Sequence, residues 1–144
     1  MKAMSATSFR TSLRVTWVDT DGAGVVHYSN YFRFFERAEE EFYRSLGFTF
    51  ADYKASGLWF PRVEACCQYK KPAHYDDVLE IEVSVEELRE KVIKLGFRVS
   101  NKNSEDLLAL GHLVIVAADK QIGKAAKIPL DMFDKLRPFA KQIL

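Results

Sequence analysis

Between Asp77 and Asp119 the chain alternates apolar and polar residues in successive runs, and the links joining those runs are too short to hold a helix. Leu79, Ile81, Val83 and Val85 alternate with Glu80, Glu82, Ser84 and Glu86. Ile93, Leu95, Phe97 and Val99 follow, and after a turn at Asn101–Asp106 comes the long run Leu107–Asp119. A period of two marks strands with one buried face. Parallel neighbours need a crossover of roughly a dozen residues or more, so these strands must pair antiparallel. Folds built from alternating strands and helices are excluded for this half.

The first half has a different rhythm. Phe9–Val18 reads as a half-buried strand, with Phe9, Leu13, Val15 and Trp17 on one face. Tyr31, Phe34, Phe35, Ala38, Phe42 and Leu46 then recur at three- and four-residue steps, the spacing of an amphipathic helix. Ser29 or Asn30 can cap its start, Gly47 suits its end, and Arg33, Glu36, Arg37, Glu39 and Glu40 fall outside the apolar stripe. Thr49–Ser56 predicts a helical turn closed by Gly57. Val63, Ala65, Cys67 and Tyr69 give another strand, Lys124–Ile128 a last short one, and a C-terminal helix begins near Leu130, limited by Pro138.

Strand, long helix, then four or five antiparallel strands is an α+β arrangement with one sheet and one principal helix. A length of 144 residues suits a single domain over 1–144, with its core at about 8–128 and a C-terminal segment at 129–144. One helix covers only one face of a sheet, yet Leu107–Val116 is apolar on both alternating sets. A second subunit is therefore expected over the other face; the alternative is that the C-terminal segment folds back there.

The net charge of +1 offers no broad field for nucleic acid or an anionic membrane, so any polyanionic ligand needs a local basic cluster. Met1–Ser8 lacks the apolar run of a signal peptide, and no stretch is apolar enough to span a membrane. Adjacent Cys66 and Cys67 would point to opposite faces of a strand, a poor geometry for a mutual disulfide. Together these features predict a cytoplasmic protein.

The strand-to-helix junction, Val18–Tyr31, holds two aspartates, two glycines and a histidine. As a calcium loop it fails: Ala23 has no side-chain oxygen where a ligand is needed, Asn30 stands in place of a bidentate glutamate, and a strand precedes it. As a dinucleotide fingerprint it lacks the third glycine and the second parallel strand. The remaining chemistry is that of a carbonyl under attack. Unpaired N–H groups at a helix start stabilise a developing oxyanion, at roughly 10²–10³ in rate per donor. Asp21, a few residues away, could attack the carbonyl or activate water, a modest catalyst suited to an activated acyl group such as a thioester. Ordinary capping and turn chemistry is the plain alternative.

Asp19-Thr20-Asp21-Gly22-Ala23-Gly24-Val25-Val26-His27-Tyr28-Ser29-Asn30-Tyr31 resembles the signature Asp-x-Asp-x-x-Gly-x-Val-(His/Tyr)-x-x-x-Tyr of the 4-hydroxybenzoyl-CoA thioesterase family, which includes acyl-CoA thioesterases associated with the tol–pal operon. Tyr69–Ile81 is a second, supporting block, and the similarity runs from about Ser8 to Ile128. The resemblance implies a hotdog fold, a sheet wrapped around one long helix, in subunits that pair into homodimers or homotetramers. It implies hydrolysis of an acyl- or aroyl-CoA to free acid and CoA, with no metal and no cofactor. It puts the catalytic carboxylate at Asp21 and the polarising backbone N–H at Tyr28, and lets His27 contact water or the acyl group; a packed or solvent-facing histidine is the other reading. Asp19 would shape the loop, and the backbone at Gly24 and Val25 would border the substrate. Arg89 and Lys91 match the hairpin where family members bind the nucleotide phosphates, although Glu90 interrupts them; a solvated charged turn is the other reading. Lys70 and Lys71 are weaker candidates.

Other residues offer less. His74 and His112 lack metal-ligand spacing with His27, and Cys66 and Cys67 read as packing residues. Glu64 could border the pocket or be an ordinary strand glutamate. Some hotdog enzymes use a glutamate of the central helix, for which Glu36 and Glu39 are available. Two further functions stay open: a thioesterase for acyl-carrier-protein or 1,4-dihydroxy-2-naphthoyl-CoA substrates, and a non-catalytic acyl-CoA-binding hotdog protein.

Overall fold

The computed structural model describes residues 7–144, so the leader-free reading of Met1–Ser8 lies mostly outside the described residues. The elements are β1 (Phe9–Arg14), α1 (Asn30–Ser45), α2 (Phe50–Ser56), β2 (Leu58–Trp59), β3 (Arg62–Tyr69), β4 (Val78–Leu88), β5 (Val92–Asn101), β6 (Leu107–Val116), β7 (Ala118–Asp119) and α3 (Leu130–Leu136). Five strands form one antiparallel sheet in the order β1-β4-β5-β6-β3, and β2 pairs with β7 apart from it.

The period-two runs set the register. Ile81 lies opposite Val99, Val83 opposite Phe97 and Val85 opposite Leu95, all on the inner face and all nearly or fully buried. Helix α1 lays Phe34, Phe35, Ala38 and Phe42 onto that face. Phe35 stacks on Phe97 with centroids 4.5 Å apart. Gly47, at φ +86°, ends the helix in the left-handed conformation expected of it.

Several expectations are corrected. Trp17 is 79% exposed rather than inward, because β1 ends at Arg14 and a 3-10 turn follows at Trp17–Asp19. That turn is held by Asp19, whose Oδ2 accepts from the Thr16 N–H and hydroxyl, both at 2.8 Å. Glu39 is not on the solvated side of α1; it is 2% exposed and paired with Arg62. The run Leu107–Asp119 breaks at Ala117, and its last two residues turn away to join β2. Lys124–Ile128 makes no strand, only a bridge from Ala125 to Ala118.

The C-terminal segment does not fold back over the outer face: α3 buries Met132 and Leu136 in the inner core, and Phe139 meets Phe42 at 4.9 Å. Its end runs parallel beside the second half of β4, where β1 has stopped: the Lys141 N–H donates to Val85 O at 2.8 Å and the Leu88 N–H to Gln142 O at 2.9 Å. The outer face is only partly apolar. Leu110 and Val114 of β6 are half-buried, while β4 and β5 present Glu80, Glu82, Lys94 and Arg98.

On that face Gly96 sits opposite Ser84, and the space of its missing side chain is taken by Glu86, whose Oε1 would lie 2.2 Å from a Cβ. Burial pushes the Glu86 carboxyl up, but the Ser84 hydroxyl at 2.8 Å and Lys141 Nζ at 3.1 Å donate to it, and the balance falls below the usual value of 4.5. A carboxyl lowered by folding adds stability above its unfolded value, and that increment is lost as pH falls through the folded one. Denaturant titrations from about pH 5 downward should show a loss in the wild type that Glu86→Gln lacks.

Candidate active site

The junction between β1 and α1 is a closed loop built on Asp21. The Ala23 and Val25 N–H groups donate to Asp21 Oδ1 at 2.8 and 3.4 Å. The Asp21 N–H donates to Val25 O at 2.8 Å, and the Gly24 N–H to Asp21 O at 3.1 Å. Gly24 takes φ +83°, a left-handed conformation that a side chain would strain, with open space around it. Asp21 is exposed, and its Oδ2 has no hydrogen-bond partner among the described residues. One oxygen fixes the loop and the other is available to a ligand.

Asp19 ties the loop to the helix from below. Its carbonyl accepts from the His27 N–H at 2.9 Å and from Asn30 Nδ2 at 2.8 Å. Asn30, read in the sequence as a possible cap, instead reaches back to the loop. Ser29 makes no side-chain cap either; its N–H and hydroxyl meet His27 Nδ1 at 3.3 and 2.8 Å. With Nδ1 accepting, the His27 ring proton belongs on Nε2. The ring lies on that of Tyr28, centroids 4.2 Å apart.

The Tyr28 N–H, at the mouth of α1, has no hydrogen-bond partner among the described residues. The His27 carbonyl in the same peptide accepts from the Asn30 N–H at 2.9 Å, and the Tyr28 carbonyl accepts from the Tyr69 hydroxyl at 2.8 Å. Tyr69 ends β3, so the second sequence block backs onto the first. The Val26 N–H donates to Ala73 O at 2.8 Å, and Val25 bridges to His74. Tyr31, 3% exposed, meets Tyr69 edge-on at 5.1 Å. Burial pushes the Tyr69 hydroxyl up to about 12, helped by the neighbouring Cys67, so it stays a donor at neutral pH.

Asp21, Gly24, Val25, His27 and Tyr28 therefore share one loop. Arg89 and Lys91 do not join them. They occupy the β4–β5 turn, whereas Val15 N–H to Asp77 O at 2.9 Å fixes the loop to the start of β4. The eleven residues of β4 lie between, ten steps or about 33 Å at ~3.3 Å per residue. Arg89 pairs with Glu87 at 3.4 Å and Glu90 with Lys127 at 3.0 Å.

A sizeable hollow lies away from the loop. A groove of about 890 Å³ runs along the far side of α1, between Glu36, Tyr43, Tyr53, Trp59 and Phe60, and no residue of the loop lines it. Glu39 borders it but is held by Arg62, which leaves that helix glutamate poorly placed as a free base. Spacing gave no sign of this groove, because α2 and the Leu58–Arg62 stretch carry neither a motif nor a strong period. Glu64 lies on the outer face of the sheet instead, 2.6 Å from His112.

Residues 15–136 match the Thioesterase-like superfamily. The acyl-CoA thioester hydrolase YbgC of Escherichia coli O157:H7 is 31% identical over 126 residues, covering 88% of this chain and 93% of that one. The 1,4-dihydroxy-2-naphthoyl-CoA hydrolase of Thermosynechococcus vestitus is 31% identical over 104 residues, 71% of each chain. A crystal structure of a protein from Aquifex aeolicus superposes with a TM-score of 0.82 at 35% identity, covering 89% of this chain and 98% of that one. The expectation of a thioesterase enzyme is thus borne out at the level of the family. An antiparallel sheet around one long helix, an aspartate-glycine loop at the helix mouth and this matched span lead to one conclusion: the chain belongs to the Thioesterase-like superfamily, with the hotdog architecture.

Proposed function

We propose that the protein hydrolyses an acyl- or aroyl-CoA thioester to free acid and CoA, as a hotdog thioesterase of the 4-hydroxybenzoyl-CoA and tol–pal-associated type. The observation that carries this reading is the pairing, within one loop, of an uncommitted carboxylate oxygen on Asp21 with an uncommitted N–H on Tyr28. The thioester oxygen accepts from the Tyr28 N–H, which draws charge from the carbonyl carbon and stabilises the oxyanion that forms there. Asp21 Oδ2 then adds to that carbon and expels CoA as thiolate, leaving a mixed anhydride for water to open, or it takes the proton of a water that adds instead. Single-turnover hydrolysis in labelled water separates the two, since only the anhydride route can put label into Asp21. Gly24 and Val25 leave the approach open, and His27 Nε2–H can donate to water or substrate.

A second subunit completes the site. Strand β3 is an edge strand of eight residues, with Val63 and Tyr69 exposed and no proline within it, so its outer edge is free to pair. Antiparallel pairing with the β3 of a second copy sets Arg62, beside the groove, against the partner strand's end next to its reactive loop. Each loop then faces the other chain's apolar groove, which takes the acyl group. Arg89 and Lys91, too far from their own loop, serve the nucleotide phosphates at another subunit's site, the arrangement of a homodimer or homotetramer. The two free thiols support a cytoplasmic location. The naphthoyl-CoA hydrolase among the relatives makes a bulky aromatic acyl group the second reading.

Thiol release from short, long and aromatic CoA esters tests the proposal. At least one ester should turn over with kcat/KM on the order of 10⁴ M⁻¹s⁻¹ or above, and specific activity should fall on dilution as subunits part. No thiol from any ester would end it.

A further inference from the structure

We propose that Tyr69 is a positioning residue for the thioester hydrolysis described above, on which this role rests: its hydroxyl clamps the Tyr28 carbonyl and so aims the Tyr28 N–H. A helix start gives its first residues little restraint, because their N–H groups lack intrahelical partners. Here the Phe32 N–H reaches only Ser29 O, at 3.4 Å, so no helical bond holds the Tyr28 carbonyl. What holds it is the Tyr69 hydroxyl at 2.8 Å.

The two peptides flanking Tyr28 are therefore pinned from opposite sides. The one carrying its N–H is held through His27 O by Asn30, and the one carrying its carbonyl is held by Tyr69. Together they fix φ and ψ of Tyr28 and hence the line along which its N–H points. The clamp is itself anchored, because Tyr69 ends β3 in register with Ala109 of β6 and its ring meets the buried ring of Tyr31. An oxyanion donor is effective when its orientation is set before the reaction, and a donor that must be reoriented loses much of that benefit.

Tyr69→Phe keeps the ring and its contact with Tyr31 and removes only the donor. The expected result is a kcat lower by about 10- to 50-fold, KM within about threefold and a melting temperature within a few degrees of the wild type. Backbone ¹⁵N relaxation supplies a readout without turnover: the Tyr28 order parameter should drop from about 0.85 to below roughly 0.6. An unchanged order parameter would overturn the clamp. So would a loss of order with kcat intact, or a fall in kcat and melting temperature with no change at Tyr28. If the wild type releases thiol from no ester, the hydrolytic reading fails first and takes the role with it, while relaxation still reports whether the contact restrains Tyr28.

Discussion

Asp21→Asn is expected to lower kcat by about 10³-fold or more while the protein melts within a degree or two of the wild type. The substitution separates the two tasks of one side chain. Asn Oδ1 can still accept from the Ala23 and Val25 N–H groups, so the loop keeps its shape. What goes is the charge on the second oxygen, the part that attacks or deprotonates. Asp21→Ala would also remove the loop bonds and cost about 1 kcal/mol of stability besides. Steady-state turnover on the best ester, with calorimetry on the same sample, gives both numbers. Parental turnover in a folded Asp21→Asn protein would move the chemistry elsewhere and leave this loop a structural turn.

Gly111→Ala should destabilise the fold by about 3 kcal/mol, lowering the melting temperature by roughly 10 °C. Gly111 faces the helix from the middle of β6, opposite Phe97. A Cβ there would lie 2.4 Å from Phe35 Cζ and 2.7 Å from the Cys66 carbonyl oxygen. Neither obstacle yields easily. The Phe35 ring is fully buried, stacked on Phe97 and met edge-on by Phe32 at 5.8 Å, and the carbonyl belongs to the neighbouring strand. Gly22→Ala, in open space, is the control and should change stability by less than about 0.5 kcal/mol. If both melt like the wild type, the closeness of α1 to β6 has been misjudged.

These two sites differ in how readable they were. The Asp21 loop is local: its bonds join residues two to four positions apart, so a run of residue types and spacings carries most of its shape. The α1 stripe and the period-two strands are equally local, and they placed α1, β3, β4 and β5 within a few residues, whereas β1 stops four residues before Val18 and β6 three before Asp119. Gly111 is different. In the sequence it merely interrupts an apolar run, and its reason for being glycine is a phenyl ring 76 positions earlier. Trp17 failed for a related reason. The alternation that seemed to continue from β1 was cut short by Asp19 bonding back to Thr16.

The candidate site divides along the same line. The residues of the signature lie together because they are adjacent in the chain. Tyr69 was visible only as part of a second block, and the structure gives it a partner 41 residues away. The hairpin cations were read by resemblance, with no means of knowing that the length of β4 separates them from the loop.

The sequence by itself determined the helix, the strands, their antiparallel pairing and the aspartate-glycine loop, since each is set by periodicity, link length or turn chemistry among near neighbours. Only the tertiary structure decided which carbonyl Tyr69 reaches, why Glu39 is buried against Arg62, where the groove opens and that the chain's last residues extend a sheet edge rather than covering the outer face. Those outcomes depend on distances between segments far apart in the chain, and such distances are fixed by close packing of the whole core rather than by any local pattern.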